Sequence, residues 1–448
     1  MKDIQVKKVL FISYLFPPVA GSGVQRSSKF VKYLPYFGWK PLVLTVKEPY
    51  DFYSDDSLLE DVKENCKIYR TFSIEPMKWV RKFLKKKWQK KIGEENKSSH
   101  KTLKPGFLVI LKTYLLVPDN EILWLPFAVW KGWQIIREER PSIIYSTSSP
   151  YTDHLIALIL VKISKLPWVA DFRDLWVDRP NFPKNNWRLH VDRKLERMVI
   201  RNADHIVTAT SQLADRFNEL YREKKYTSIT NGYDEDDFSF TKEFKIPSDE
   251  FRITYTGIFN KEQNPQKVFV ALKKLIEDRS DVRDKIKLKF IGQLDNPGDF
   301  ENIALFKKLE LDQYSELVPY QPHLQVISEM SEATVLLLFI GEYPHNEGIL
   351  TGKLFEYLRA GRPILAVVPV NGLAADIIRN TNSGIVVTNH NVDEIAEGIS
   401  KLFDLFIKNE LDNHFKRLNI ESYSRKNLTE KLSQTFNNVL NEKILINE

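Results

Sequence analysis

Gly348-Ile349-Leu350-Thr351-Gly352-Lys353-Leu354-Phe355-Glu356-Tyr357-Leu358-Arg359-Ala360-Gly361-Arg362-Pro363-Ile364-Leu365-Ala366-Val367-Val368 is the stretch on which the reading of this chain turns. It follows an unbroken apolar run, Thr334 to Ile340 (TVLLLFI). A glycine-bearing loop leads to a helix over Lys353 to Ala360, and Pro363 to Val368 (PILAVV) returns as a second apolar run. Short continuous apolar strands joined by a helix describe a βαβ unit, whose strands lie in a parallel sheet covered on both faces.

The same alternation extends in both directions. Phe251 to Gly257, a helix from Pro265 to Asp278, and Lys287 to Gly292 precede it; a helix near Leu373 to Arg379 and the strand Ser383 to Thr388 follow. The N-terminal half repeats the pattern. Lys7 to Ser13 (KKVLFIS) reads as a strand, followed by a Pro/Gly loop and a helix over Gln25 to Tyr36. Strands follow at Lys40–Val46, Ser142–Thr147, Pro167–Phe172 and His205–Thr210, with helices over Thr152–Ser164 and Gln212–Tyr221. The sequence predicts an α/β chain of two Rossmann-like domains. Its 448 residues suit two cores of roughly 200 residues each. The turn-forming, acidic stretch Thr230 to Asp237 places the hinge after residue 236. Expected domains are 1–236 and 237–415, with a helical tail, 416–448, returning to the first domain.

Composition narrows the class. One cysteine, Cys66, forms no internal disulfide, so a reducing cytoplasm is the plain expectation. The apolar run Val9 to Phe16 is too short to span a bilayer, and no other stretch supplies the roughly 20 apolar residues a crossing needs. The formal charge is +7, with much of the excess between Lys78 and Lys104. There Val80, Leu84, Trp88 and Ile92 recur every four residues, with lysines and arginines on the other faces. Residues 78–92 therefore read as a basic amphipathic helix, which either meets an anionic membrane surface or packs Trp88 inward. No nucleic-acid module is recognisable, and nucleic acid is not an expected partner.

Ligands of open parallel sheets bind beyond the carboxyl ends of the strands. Three loops there carry candidate chemistry. Gly21-Ser22-Gly23 opens a helix whose free N–H groups face an anion, with Arg26 nearby, or else forms a tight turn without a ligand. At Thr351 to Leu354 a helix start, its dipole and Lys353 all favour a diphosphate; Glu356, one turn on, is placed for a ribose diol. The third loop joins Ser148 to His154 with Asp171-Phe172-Arg173-Asp174. Arg173 and Asp174 either face a ligand or brace the loop as an internal ion pair.

The loop and helix around Glu356 resemble the donor site of the family-4-type retaining glycosyltransferases of GT-B fold. That family carries two glutamates eight positions apart, then a small-Gly-x-Pro run, matched here by Glu356 and Ala360-Gly361-Arg362-Pro363. The first glutamate falls on Gly348, with Glu347 one residue earlier. The family's phosphate-binding Arg and Lys fall on Ile258 and Gln263, after Gly257; Lys261 is the nearest cation, with Lys353 supplying the rest. Further along the family's order come PPVAGSGVQR, SSPYTDHL to PWVADFRDLW, NADHIVTATSQ to ITNGYDEDDF, and YTGIF to ALKKL. Pro118 to Ala128 (PDNEILWLPFA) resembles bacterial surface-polysaccharide members.

The resemblance implies a cleft between two facing domains and a nucleotide-diphosphate sugar as donor. It also implies a saccharide or lipid-linked acceptor and retention at the anomeric carbon. It places the base near Tyr320 and His323, and many members carry a histidine near the position of Thr147, where His154 follows a turn later. The candidate catalytic set is Lys353, Lys261, Asp174, Arg173 and His154. The candidate donor set is Gly21, Ser22, Gly23, Gly257, Tyr320, Glu347, Gly348, Thr351, Gly352, Leu354 and Glu356. No His, Asp or Cys grouping has metal-ligand spacing, so neither metal nor cofactor is expected. Two other functions stay open: a nucleotide-sugar 2-epimerase of the same architecture, and a catalytically silent binding subunit.

Overall fold

A computed structural model describes residues 6–19, 22–48, 56–74, 116–177, 182, 186–222, 225–239, 249–259, 263–295, 299–343 and 346–447. Lys261, Gly21 and the basic segment 78–92 lie outside them. The chain divides into two compact units, one of residues 1–229 with 429–448, the other of residues 230–428.

The first unit holds a 7-stranded sheet ordered β3-β2-β1-β4-β5-β6-β7. Its strands are β1 (Lys7–Ile12), β2 (Trp39–Val46), β3 (Lys67–Thr71), β4 (Ile143–Ser148), β5 (Trp168–Phe172), β6 (His205–Thr208) and β7 (Tyr226–Ser228). Every neighbouring pair is parallel. Leu10, Ile12, Leu42, Leu44, Ile144 and Ala170 project into a core closed by Trp124, Ile156, Leu160 and Val199 from the covering helices. Phe436 of the last helix (Arg425–Asn447) packs edge-on against Trp39 and Tyr145, and Lys443 pairs with Asp204 at 2.8 Å.

The second unit holds a 6-stranded sheet ordered β10-β9-β8-β11-β12-β13, again wholly parallel. Its strands are β8 (Phe251–Ile258), β9 (Ile286–Gln293), β10 (Ser315–Val318), β11 (Val335–Phe339), β12 (Ile364–Val367) and β13 (Gly384–Val387). Residues on alternate sides of β11 enter different cores: Val335, Leu337 and Phe339 pack with Phe251 and Phe403, while Leu336 and Leu338 pack with Leu354 and Leu358. Two Rossmann-like α/β units thus make up the chain.

Three strands escaped the sequence reading for one physical reason. At β3, β7 and β10 the sheet ends, and no residue of these strands is fully buried. An edge strand needs no continuous apolar run. The first helix begins at Ser22 and ends at Tyr33; Pro35 then carries the chain through a 3₁₀ turn, Leu34–Phe37.

The unit boundaries fall at 229/230 and 428/429, where the sequence had suggested 236/237 and 415/416. Residues after 230 join the second unit because the Tyr233 N–H donates to the Tyr423 carbonyl at 3.1 Å. The Arg425 N–H returns to the Tyr233 carbonyl at 2.7 Å. Tyr233 and Phe238 fill the core beneath Leu354 and Leu358. No helix among the described residues is long and apolar enough to cross a membrane.

Candidate functional site

In each sheet the strand order reverses once, between β1 and β4 in the first and between β8 and β11 in the second. A crevice opens at the carboxyl ends of such a pair. In the second unit β8 ends at Gly257, with φ +126°, and Ile258, which is 49% exposed. The chain leaving β11 runs through a 3₁₀ turn, Asn346–Gly348, to the helix Gly352–Ala360. That helix is pinned to β8 because the Tyr357 hydroxyl meets both the N–H and Oγ1 of Thr256, each at 3.1 Å. Gly361, at φ +74°, closes the helix, and Arg362 donates to the Ser331 carbonyl at 2.8 Å. The small-Gly-x-Pro run is therefore a helix stop followed by the start of β12.

Lys353 reaches back over β8. Its ammonium donates to the Tyr255 hydroxyl at 3.1 Å and lies 4.2 Å from the centre of the Tyr255 ring, which stacks on Phe259 at 4.0 Å. Burial lowers its pKa to about 8, although the nearby Glu356 charge pulls it upward. Thr351 is the extended residue before the helix, and its side chain caps nothing. Its Oγ1 is shut from solvent and has no hydrogen-bond partner. A helix start, an unsatisfied hydroxyl and a buried ammonium are groups whose chemistry suits an anion.

Glu356 faces a different neighbour. Its Oε1 lies 2.9 Å from His323 Nε2, and His323 Nδ1 lies 4.0 Å from Asp237 Oδ2. Tyr320, 61% exposed, follows the end of β10. Glu347 is exposed, and its backbone lies against Gly372, where an added Cβ would meet the Glu347 carbonyl at 3.0 Å. Gly257, Thr351, Gly352, Lys353, Leu354 and Glu356 thus share one end of the second sheet. The sequence reading left Tyr255, Tyr357 and Asp237 out of its candidate sets. The alternation of β8, which sends Tyr255 to one face and Thr256 to the other, was the available signal.

In the first unit Arg173 gathers the loops. Its guanidinium donates to the Ser149 carbonyl at 2.7 Å, and also to the carbonyls of Ser148 and Gly23. Asp174 next to it is exposed. Asp171 is the fully buried member of the cluster. Arg26 binds it through two bonds of 3.0 and 2.9 Å, with Tyr145 and Thr147 adding bonds of 2.7 and 2.9 Å. Arg26 therefore points into the core, where it pairs with Asp171. Arg26 and the other hydrogen bonds hold Asp171 below the usual carboxylate range despite burial. His154 has no solvent exposure; its Nδ1 meets Ser146 Oγ at 2.8 Å, and its ring lies 4.4 Å from Phe172. Burial drops its pKa to about 3, so it is neutral. This is a core histidine, closed to contact with a sugar in this conformation.

Two family models match adjoining stretches: glycosyltransferase family 4 over residues 93–237 and glycosyl transferases group 1 over residues 236–422. The chain is similar to sucrose-phosphate synthase from Thermosynechococcus elongatus at 14% identity and TM-score 0.63, across 97% of this chain and 100% of that one. It is similar to a glycosyltransferase from Rickettsia africae at 14% identity and TM-score 0.61, across 97% and 98%. A third likeness is to a TarM variant of S. aureus in complex with fondaparinux, α-GlcNAc-glycerol and UDP. There the identity is 12% and the TM-score 0.58, across 97% and 100%. No curated protein matches the chain.

Proposed function

The chain belongs to the family-4-type glycosyltransferases of GT-B fold, and from that premise we propose that it moves a sugar from a nucleotide-diphosphate donor to a saccharide or lipid-linked acceptor, with retention, in surface-polysaccharide assembly. The observation that carries the donor half is a helix start that bears both the Lys353 ammonium, held over Tyr255, and the unsatisfied Thr351 hydroxyl. Diphosphate oxygens would satisfy all three groups. UDP in the related TarM complex is consistent with such a ligand.

In this reading the acceptor hydroxyl oxygen bonds to the anomeric carbon as the carbon–phosphate-oxygen bond breaks. The proton passes from that hydroxyl to the departing phosphate oxygen. No side chain need act as base; the protein holds the reactants and stabilises the leaving diphosphate. Lys353 and the helix dipole supply fixed positive charge, so transfer proceeds without a divalent ion, and chelator leaves it unchanged. Lys261, Tyr320 and the Gly21–Gly23 loop belong to the same reading as further donor contacts. Asp174, exposed at the end of β5, is offered to the acceptor. The reaction is cytoplasmic in this account, with residues 78–92 turned to an anionic membrane.

Thermal-shift titration with UDP, GDP and ADP tests the donor site. A ligand at 100 times its dissociation constant adds about 2.7 kcal/mol of stability. Stabilisation of the native chain that vanishes in Lys353→Ala supports the reading. No stabilisation by any of the three returns the chain to the silent-subunit alternative. Release of nucleotide without acceptor, with inversion at the sugar's second carbon, identifies an epimerase instead.

A further inference from the structure

The carboxylate proposed for the ribose is not free to choose its own direction. Glu356 projects from the second turn of the helix Gly352–Ala360, while His323 is the first residue of the helix His323–Ser331. Asp237 comes from a third element, the 3₁₀ turn Glu235–Phe238. The three side chains line up as Asp237, His323, Glu356, with separations of 4.0 and 2.9 Å. Their side chains are only 14, 17 and 15% exposed.

Facing a carboxylate oxygen at 2.9 Å, His323 Nε2 acts as the donor, which fixes the ring's proton on that side. Asp237 Oδ2 lies 4.0 Å from Nδ1 and flanks the opposite edge of the ring. Glu235, the first residue of that turn, is held by Arg359 at 2.7 Å, and Arg359 lies 5.0 Å from the centre of the Phe238 ring. The turn carrying Asp237 is thereby fastened to the helix carrying Glu356. A carboxylate anchored through Oε1 presents Oε2 in one direction. That is the arrangement needed to accept from vicinal hydroxyls without first ordering a side chain.

We infer that His323 is a positioning residue that holds Glu356 ready for a ribose diol, and that it makes the sugar of the nucleotide a feature the site discriminates. The inference rests on the donor reading above, but concerns a different part of the ligand from the diphosphate gripped at Lys353. A site built to bond a hydroxyl rejects the analogue lacking it, because the waiting carboxylate is left unpaired.

The test is isothermal titration of the full chain with UDP, GDP and ADP, their 2′-deoxy counterparts, and pyrophosphate. It uses the native sequence, Glu356→Gln, His323→Ala and Asp237→Asn. The native chain should prefer the ribonucleotide by about tenfold or more, the size of one hydrogen bond to a charged group. His323→Ala should cut that preference to within about threefold, and Asp237→Asn should lower it partway. Pyrophosphate affinity should stay unchanged in His323→Ala and Asp237→Asn. A merely structural role for His323 would instead weaken pyrophosphate and ribonucleotide together. Loss of preference in Glu356→Gln but not in His323→Ala overturns the inference and leaves the donor site standing. Full preference retained in Glu356→Gln removes the ribose role of Glu356, and the inference with it. Failure of every nucleotide and of pyrophosphate to bind removes the donor site itself.

Discussion

A methyl group on Gly257 would lie 2.6 Å from the Lys353 ammonium nitrogen, inside any van der Waals contact. Glycine at the end of β8 therefore leaves the space that the lysine occupies. Its φ of +126° is a second reason that other residues are excluded. The position is thus tied to the placement of Lys353 as well as to the strand.

Gly257→Ala should displace the ammonium and strain the backbone. We expect a stability loss of about 1–2 kcal/mol, read by urea denaturation. Pyrophosphate affinity should fall as far as it does in Lys353→Ala. Loss of stability with native affinity would separate the glycine from the lysine.

The Lys353 pKa of about 8 gives two trends of opposite sign. The ammonium is charged below that pH and neutral above it. Diphosphate affinity should therefore decline as pH rises through about 8, with proton uptake on binding at higher pH. The free protein should behave the other way. Because burial depresses this pKa, the unfolded state binds more protons between about 8 and the usual lysine range. Lys353 thus costs stability at lower pH, and that cost is relieved as pH rises through about 8. Calorimetric titration in buffers of differing ionisation heat checks the uptake, and Lys353→Met should flatten both profiles.

Arg26 and Asp171 form a buried pair in the first unit, with 0% exposure at each residue. Asp171→Asn leaves an uncompensated guanidinium in the core and should cost about 3–5 kcal/mol in urea denaturation. Arg26→Met with Asp171→Leu should recover much of that loss, because the pair's desolvation disappears with its attraction. A mild effect of Asp171→Asn would mean that Tyr145 and Thr147 alone satisfy the site.

The sequence disclosed what burial dictates. Continuous apolar runs located the inner strands β1, β2, β4, β5, β6, β8, β9, β11 and β12 because both faces of those strands are covered. Edge strands β3, β7 and β10 carried no such signal. At the site, glycines and a helix start near Thr351 were legible because they depend on local backbone. Partnerships across the fold were not. Nothing in the spacing shows that Arg26 turns to Asp171, 145 positions away, or that His323 meets Glu356, 33 positions away. The place of His154 early in a helix did not decide between a buried and an open ring. Its immersion follows from Phe172 and Trp168 of the neighbouring strand β5, which only the sheet order brings alongside.

Arg173 was one of the candidates for catalysis, and its surroundings assign it other work. Its three bonds end on backbone carbonyls of Gly23, Ser148 and Ser149, so the ends of β4 and β5 and the start of the first helix meet at one guanidinium. A planar fork serves three fixed acceptors in a way that a lysine ammonium on a flexible stem does not. Arg173→Lys should therefore behave almost as badly as Arg173→Ala, each costing about 2–4 kcal/mol, since carbonyls tied to a charged donor lose their partner. Transfer should fall through slackened loops, with affinity for pyrophosphate in the second unit unchanged. Guanidinium ion added to Arg173→Ala should not restore turnover as it would for a missing reacting group. Rescue to native turnover, with native stability in the unrescued variant, would return Arg173 to the reaction itself.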